Sequence, residues 1–173
     1  MPDSPYEGAS AALGYARQSC EWAGLRFSRE TTSTRCIRND LPEKNETAVD
    51  SGAMCEVLVD GHFGYCATAD VSAAGLQRAF DRAVATTRAT SAFKVHAFST
   101  QQRPAQTGRY QSPRTLPLDA TALADMTECL RAASAAMKGS ELVVNRSARA
   151  MTVQTRLGYF SSSGADIRQN FDM

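Results

Sequence analysis

Ser51-Gly-Ala-Met-Cys55-Glu-Val-Leu-Val-Asp60-Gly61-His-Phe-Gly-Tyr65-Cys-Ala-Thr-Ala-Asp70-Val-Ser72 decides the fold. Asp60-Gly61 predicts a two-residue hairpin turn, because a type I′ turn needs positive φ at both central residues. Pairing outward from it sets Val59 opposite His62, Leu58 opposite Phe63, Val57 opposite Gly64, Glu56 opposite Tyr65 and Cys55 opposite Cys66. Cys55, Val57, Val59, Gly64 and Cys66 then share one face, and Met54, Leu58, Phe63 and Tyr65 the other. Both faces are largely apolar, which predicts a hairpin covered on both sides. Ser72 reads as the N-cap of a helix whose stripe is Leu76, Ala79, Phe80, Ala83 and Val84, with Arg78, Asp81, Arg82 and Arg88 outside it.

Upstream, Ser4-Pro5-Tyr6-Glu7 is a capping box with proline at the first helical position. Ala9, Ala12, Leu13, Ala16, Cys20 and Ala23 continue a helical stripe of small residues that Gly24 ends, so this helix should lie close to its neighbour. Leu25 and Phe27 alternate with Arg26 and Ser28 as a strand. A second extended stretch runs over 31–37 and closes at the Asn39-Asp40 turn signal. The polar stretch 41–50 reads as a weak strand or a loop.

Downstream, the composition shifts over 99–118, where Pro104, Pro113 and Pro117 interrupt a run rich in glutamine and arginine. It reads as a long exposed connection. A third helix is expected over 119–138, with Leu123, Met126, Leu130, Ala133 and Met137 on one face and Gly139 as the stop. The tail alternates again through Leu142-Val143-Val144, 150–160 and 167–171, with a Ser163-Gly164 turn, which predicts two or three strands. The pattern ends at Asp172-Met173 as though within a strand, as expected of a piece of a longer chain.

These elements predict an α+β fold, a mostly antiparallel sheet with three helices packed on it. The expected organisation is a core over 1–98, a connection over 99–118, and a helix with strands over 119–173 that complete the sheet.

With 173 residues, 43% of them hydrophobic, the chain can bury a core of its own. Nineteen basic against eighteen acidic residues leave a formal charge of +1, too little for the positive field that nucleic acid or an anionic membrane requires. The apolar runs are too short to span a bilayer. The Met-Pro-Asp-Ser-Pro start lacks the basic and apolar regions of an export signal. Five irregularly spaced cysteines (20, 36, 55, 66 and 129) are then expected to be reduced thiols in a cytoplasmic protein.

Candidate sites were weighed against simpler roles. Cys55 and Cys66 face each other at a hydrogen-bonded pair, where Cα atoms sit about 5.5 Å apart, so packed thiols are expected rather than a disulfide. At about 3.3 Å per residue, His62 and Cys66 stand too far apart along one strand to share a metal ion. His96 lies alone in a short alternating run. Ser161-Ser162-Ser163-Gly164 is a turn rather than a nucleophile elbow, and the Gly61/Gly64 spacing sits within a hairpin rather than before a helix. Arg103, Arg109, Arg114 and Tyr110 could meet an acidic partner, with a solvated loop as the simpler role. No catalytic, cofactor-binding or metal-ligating residue is assigned, and the chain by itself is expected to be non-catalytic.

Val57-Leu58-Val59-Asp60-Gly61, Phe63-Gly64-Tyr65 and Ala67-Thr68 resemble the glycine-flanked hairpin of the N-terminal domain of the TldD/PmbA family, zinc peptidases long labelled modulators of DNA gyrase. The likeness is strongest over 51–90. It extends to Arg38-Asn39, where Asp40 stands in place of the family's glycine, and in layout to 142–167. The resemblance implies hydrolysis of unfolded or modified peptides in a closed chamber by a homodimer, or by a heterodimer of a zinc-bearing chain with a metal-free paralogue. The family's HExxxH helix is absent from this sequence, so the zinc is implied for a C-terminal catalytic domain beyond 173 and no ligand is carried onto these residues. Either paralogue fits. A stand-alone, non-catalytic α+β module that binds peptides or proteins at its strand edges is the alternative.

Overall fold

The computed structural model describes residues 6, 8–93, 95–114 and 118–173. Ser4 and Glu7 of the expected capping box lie outside the described residues. Helix α1 is Ala9–Ala16, α2 is Ala73–Thr90 and α3 is Leu123–Ala136. The strands are β1 Trp22–Arg38, β2 Leu41–Val59, β3 His62–Thr68, β4 Thr107–Gln111, β5 Ser147–Ser161 and β6 Asp166–Asp172. They form one sheet in the order β3-β2-β1-β5-β6-β4, and the expected α+β fold with a mostly antiparallel sheet is what forms. β4 runs parallel to β6, since Asp166 N–H bonds Gln106 O and Ser112 N–H bonds Asn170 O. Among the described residues no helix is long and apolar enough to cross a membrane.

The β2–β3 register is the expected one from Val59↔His62 to Cys55↔Cys66. Asp60 (φ 51°) and Gly61 (φ 70°) supply the two positive φ values the turn needs. Asn39 (φ 48°) and Asp40 (φ 67°) do the same between β1 and β2. Their polar side chains tolerate the left-handed region, so no glycine is needed there.

Two compact units form. The first contains the chain up to Arg29, Ser51–Tyr110 and Arg156–Gln169; the second contains Glu30–Asp50, Gln111–Thr155 and Asn170–Met173. In the first, α1 and α2 lie on one face of the strands. Ala9, Ala12, Leu13 and Ala16 join Leu76, Ala79, Phe80, Ala83 and Val84 over Leu25, Phe27, Cys55, Val57 and Val59 in a single buried cluster. Small residues on α1 permit the close approach. Ser72 caps α2 as expected, its hydroxyl accepting from Gly75 N–H at 3.1 Å. Gly64 faces α2 where a Cβ would collide with the Thr87 side chain, so glycine is what lets the helix settle on the hairpin.

Several expectations need correction. Helix α1 stops at Ala16 rather than at Gly24. Glu21 N–H already bonds Leu58 O, and Trp22, Ala23 and Gly24 are buried strand residues, so sheet pairing overrides the small-residue helical stripe. The extended stretches before Asn39 merge into one 17-residue strand, and the polar 41–50 stretch is the exposed half of β2. Within the hairpin only the 53–59 half of β2 is covered on both faces; β3 is an edge strand, with Tyr65 half-exposed. Residues Leu142-Val143-Val144 form no strand, which leaves two strands in the tail. The stretch expected to be a loop also carries β4.

In the second unit Ile37, Leu130 and Ala148 form a small core, with Ala150 against it. The expected α3 stripe is only partly buried: Leu130 is inside, while Leu123, Ala133 and Met137 are exposed. Ser134 is fully buried instead, because its hydroxyl accepts from Asp40 N–H at 3.3 Å in the tight turn. Arg146 completes that turn by pairing with Asp40 and donating its N–H to Asn39 Oδ1 at 3.0 Å.

Candidate functional site

The first unit's strands have a second face, turned away from α1 and α2. Alternation places Trp22 and Arg26 of β1, Glu56 and Leu58 of β2, Leu157 and Tyr159 of β5, and Ile167 and Gln169 of β6 on it. At one end Trp22 and Leu58 are fully buried. Phe63 meets Trp22 edge-on at 6.0 Å and Phe98 at 5.4 Å. The chain reaches this face because Phe98 N–H bonds Gly61 O at 2.8 Å. Ser99 then caps a single 3-10 turn, with Gln102 Oε1 accepting back from Ser99 N–H at 2.7 Å.

That turn aims Arg103 at Glu56. Its Nη2 and Nε lie 2.6 Å and 3.2 Å from Glu56 Oε1, and its guanidinium covers the Phe63 ring at 4.5 Å. Glu56 is only 7% exposed, so the ion pair is what makes a carboxylate tolerable inside the sheet. The bond to Glu56 holds Arg103 above its ordinary pKa, with burial pulling the other way.

Beyond the pair the face opens into a cleft of about 520 Å³ lined by Arg26, Glu56, Arg103, Tyr159, Ile167 and Gln169, with Leu157 and Gly158. Burial, and then the Glu56 charge, raise the Tyr159 phenol; Tyr65, opposite Glu56 in the hairpin, is raised for the same reasons in the same order. Both remain hydroxyl donors at neutral pH. The cleft offers guanidinium, phenol and amide donors with one carboxylate already engaged, which is binding chemistry rather than proton transfer.

Of these residues the sequence singled out Arg103 alone, within a loop cluster that could meet an acidic partner. One signal was available: Glu56 is the only charged residue in the buried run 53–59, and a buried acid requires a basic partner. Which arginine answers it depends on the fold. The arginines expected as a surface cluster are satisfied within the chain instead. Arg109 bonds Asp166 at 2.9 Å, and in the second unit Arg114 bonds Asp172 at 2.7 Å.

Cys55 is buried and Cys66 partly so, both as free thiols. The serine turn is structural: Ser162 Oγ accepts from Ala23 N–H at 3.0 Å, and Ser163 Oγ from Trp22 Nε1 at 3.1 Å. His96 packs on Phe98 at 4.9 Å. No three histidine, cysteine, aspartate or glutamate side chains converge among the described residues.

Residues 23–87, which hold β1, the hairpin and most of α2, match the family model described as PmbA/TldA metallopeptidase domain 1. That stretch is similar to a PmbA/TldA first domain. Solved structures share the fold of this chain. A protein from Thermotoga maritima described as a modulator of a DNA gyrase superposes with TM-score 0.75 at 14% identity, over 98% of this chain and 38% of its own. A counterpart from Bacteroides thetaiotaomicron gives 0.70 at 17%, over 95% and 38%. TldE from Thermococcus kodakarensis gives 0.71 at 9%, over 95% and 37%. The chain thus spans well under half the length of these relatives. No curated protein matches it by sequence.

Proposed function

We propose that this chain is the N-terminal structural and assembly domain of a TldD/PmbA-like metallopeptidase subunit. The observation that carries the reading is the match of 23–87 to a metallopeptidase domain 1, in a chain that covers 37–38% of each solved relative. In this reading the intact protein is cytoplasmic and hydrolyses unfolded or modified peptides, as a homodimer or with a paralogous subunit. Zinc belongs to a C-terminal domain, whose residues are not among these 173. The first domain contributes wall and subunit contacts.

The test is zinc content and peptide cleavage of this chain beside the product of the uninterrupted gene. Zinc and cleavage in the longer product alone support the reading. Stoichiometric zinc or cleavage in the 173-residue chain overturns it. A gene that stops at Met173 favours the stand-alone binding module instead.

A further inference from the structure

The cleft has more donors than its own acceptors use. Glu56 Oε1 is held by Arg103 through two nitrogens. Arg26, on the neighbouring strand, is exposed and has no hydrogen bond or ion pair among the described residues, and neither has the Gln169 side chain. Two guanidiniums against one carboxylate give the lining a net charge of +1. Leu157 and Ile167 supply an apolar wall beside these donors. The volume, about 520 Å³, lies in the range of small-ligand sites.

We propose that this cleft binds a carboxylate carried next to an apolar side chain, the chemistry of a peptide ending in an aliphatic residue, with Arg26 as its counter-ion. A guanidinium fork matches a carboxylate's two oxygens and gives the bond its direction. The Tyr159 hydroxyl and the Gln169 amide are further donors at the same opening. A monoanion neutralises the lining, whereas a phosphate dianion would leave it negative. A cationic ligand would find the lining's one carboxylate, Glu56, already paired with Arg103. This binding goes beyond the peptidase reading: it needs neither zinc nor cleavage, and it stands or fails whatever the intact protein hydrolyses.

Calorimetric titration of the 173-residue chain tests it, with four probes: N-acetyl-Ala-Ala-Leu, its C-terminal amide, N-acetyl-leucine and inorganic phosphate. The expected result is saturable binding of the acid peptide, with the amide weaker by about tenfold or more. Arg26→Gln should weaken the acid by a similar factor and Arg26→Lys by less, with the thermal melt unchanged because Arg26 is exposed and makes no hydrogen bond or ion pair among the described residues. N-acetyl-leucine binding as tightly as the peptide supports the carboxylate site and assigns it to free acids; weaker binding assigns it to peptide ends. Equal affinity for acid and amide overturns the proposal. So does tighter binding of phosphate, indifference to Arg26→Gln, or no saturation at millimolar peptide. Each of these readouts is separate from zinc content and cleavage, so the two proposals fail independently.

Discussion

Glu56 on β2 and Arg103, far along the chain in the turn after Ser99, form one ion pair at 2.6 Å over the ring of Phe63. The carboxylate is buried and the guanidinium partly reaches solvent. The two halves of the pair are therefore not equivalent. Arg103→Met leaves a charge in the sheet and should cost about 2 kcal/mol, less than the loss of a fully enclosed partner because water can approach. Glu56→Gln leaves a polar group and should cost about 1 kcal/mol. The combined Glu56→Leu/Arg103→Met chain should be more stable than Arg103→Met alone. Urea unfolding followed by the fluorescence of Trp22, the single tryptophan, gives all three values. Equal costs for the two single variants would show that the carboxylate is not confined.

Gly64 answers to the helix rather than to the turn. Gly64→Ala places a methyl group into Thr87 and should destabilise by about 1–3 kcal/mol, the usual cost of overpacking. Adding Thr87→Gly should recover part of the loss from Gly64→Ala, although the glycine carries its own helix penalty of about 1 kcal/mol. A double-mutant cycle with no coupling would mean that α2 does not touch the hairpin at this point.

Val57 is completely buried between the sheet and the two helices. Val57→Asp should abolish cooperative folding, since the new charge has no partner there. A melt near that of the parent chain would mean that Val57 points to solvent.

The alkaline limit should come partly from Cys55. Burial, aided by the neighbouring Cys66, pushes its thiol up to about 12 from an ordinary value of 9.0. The unfolded chain thus releases this proton at lower pH than the folded chain does. The stability it contributes is complete below pH 9 and is lost as pH rises through about 12, at about 1.4 kcal/mol per unit. Cys20, also raised by burial, adds in the same direction. Denaturant midpoints between pH 8 and 10 should fall less steeply in Cys55→Ala than in the parent, the tyrosines being common to both chains. The same burial predicts that a thiol reagent labels exposed Cys129 in the native chain and Cys55 only on unfolding. Native labelling of Cys55 at the rate of Cys129 would contradict its position.

The hairpin register, the Ser72 cap, the buried stripe of α2 and the Asn39-Asp40 turn were legible in the sequence by itself. Each rests on interactions between residues close in the chain, with φ preferences, capping and periodicity carrying the information. The end of α1 was not legible, because Trp22–Gly24 are claimed by pairing with β2, a partner far along the chain. Nor was the burial of Ser134, which depends on a turn 94 positions away. The cleft lies furthest from local reading: Arg26, Glu56, Arg103, Tyr159 and Gln169 come from five separate segments. The sequence alone placed Glu56, an acid, within an apolar hairpin strand. The tertiary structure decided which arginine pairs with it and which one is left over, because side-chain alternation assigns a residue to a face but only strand order brings faces together.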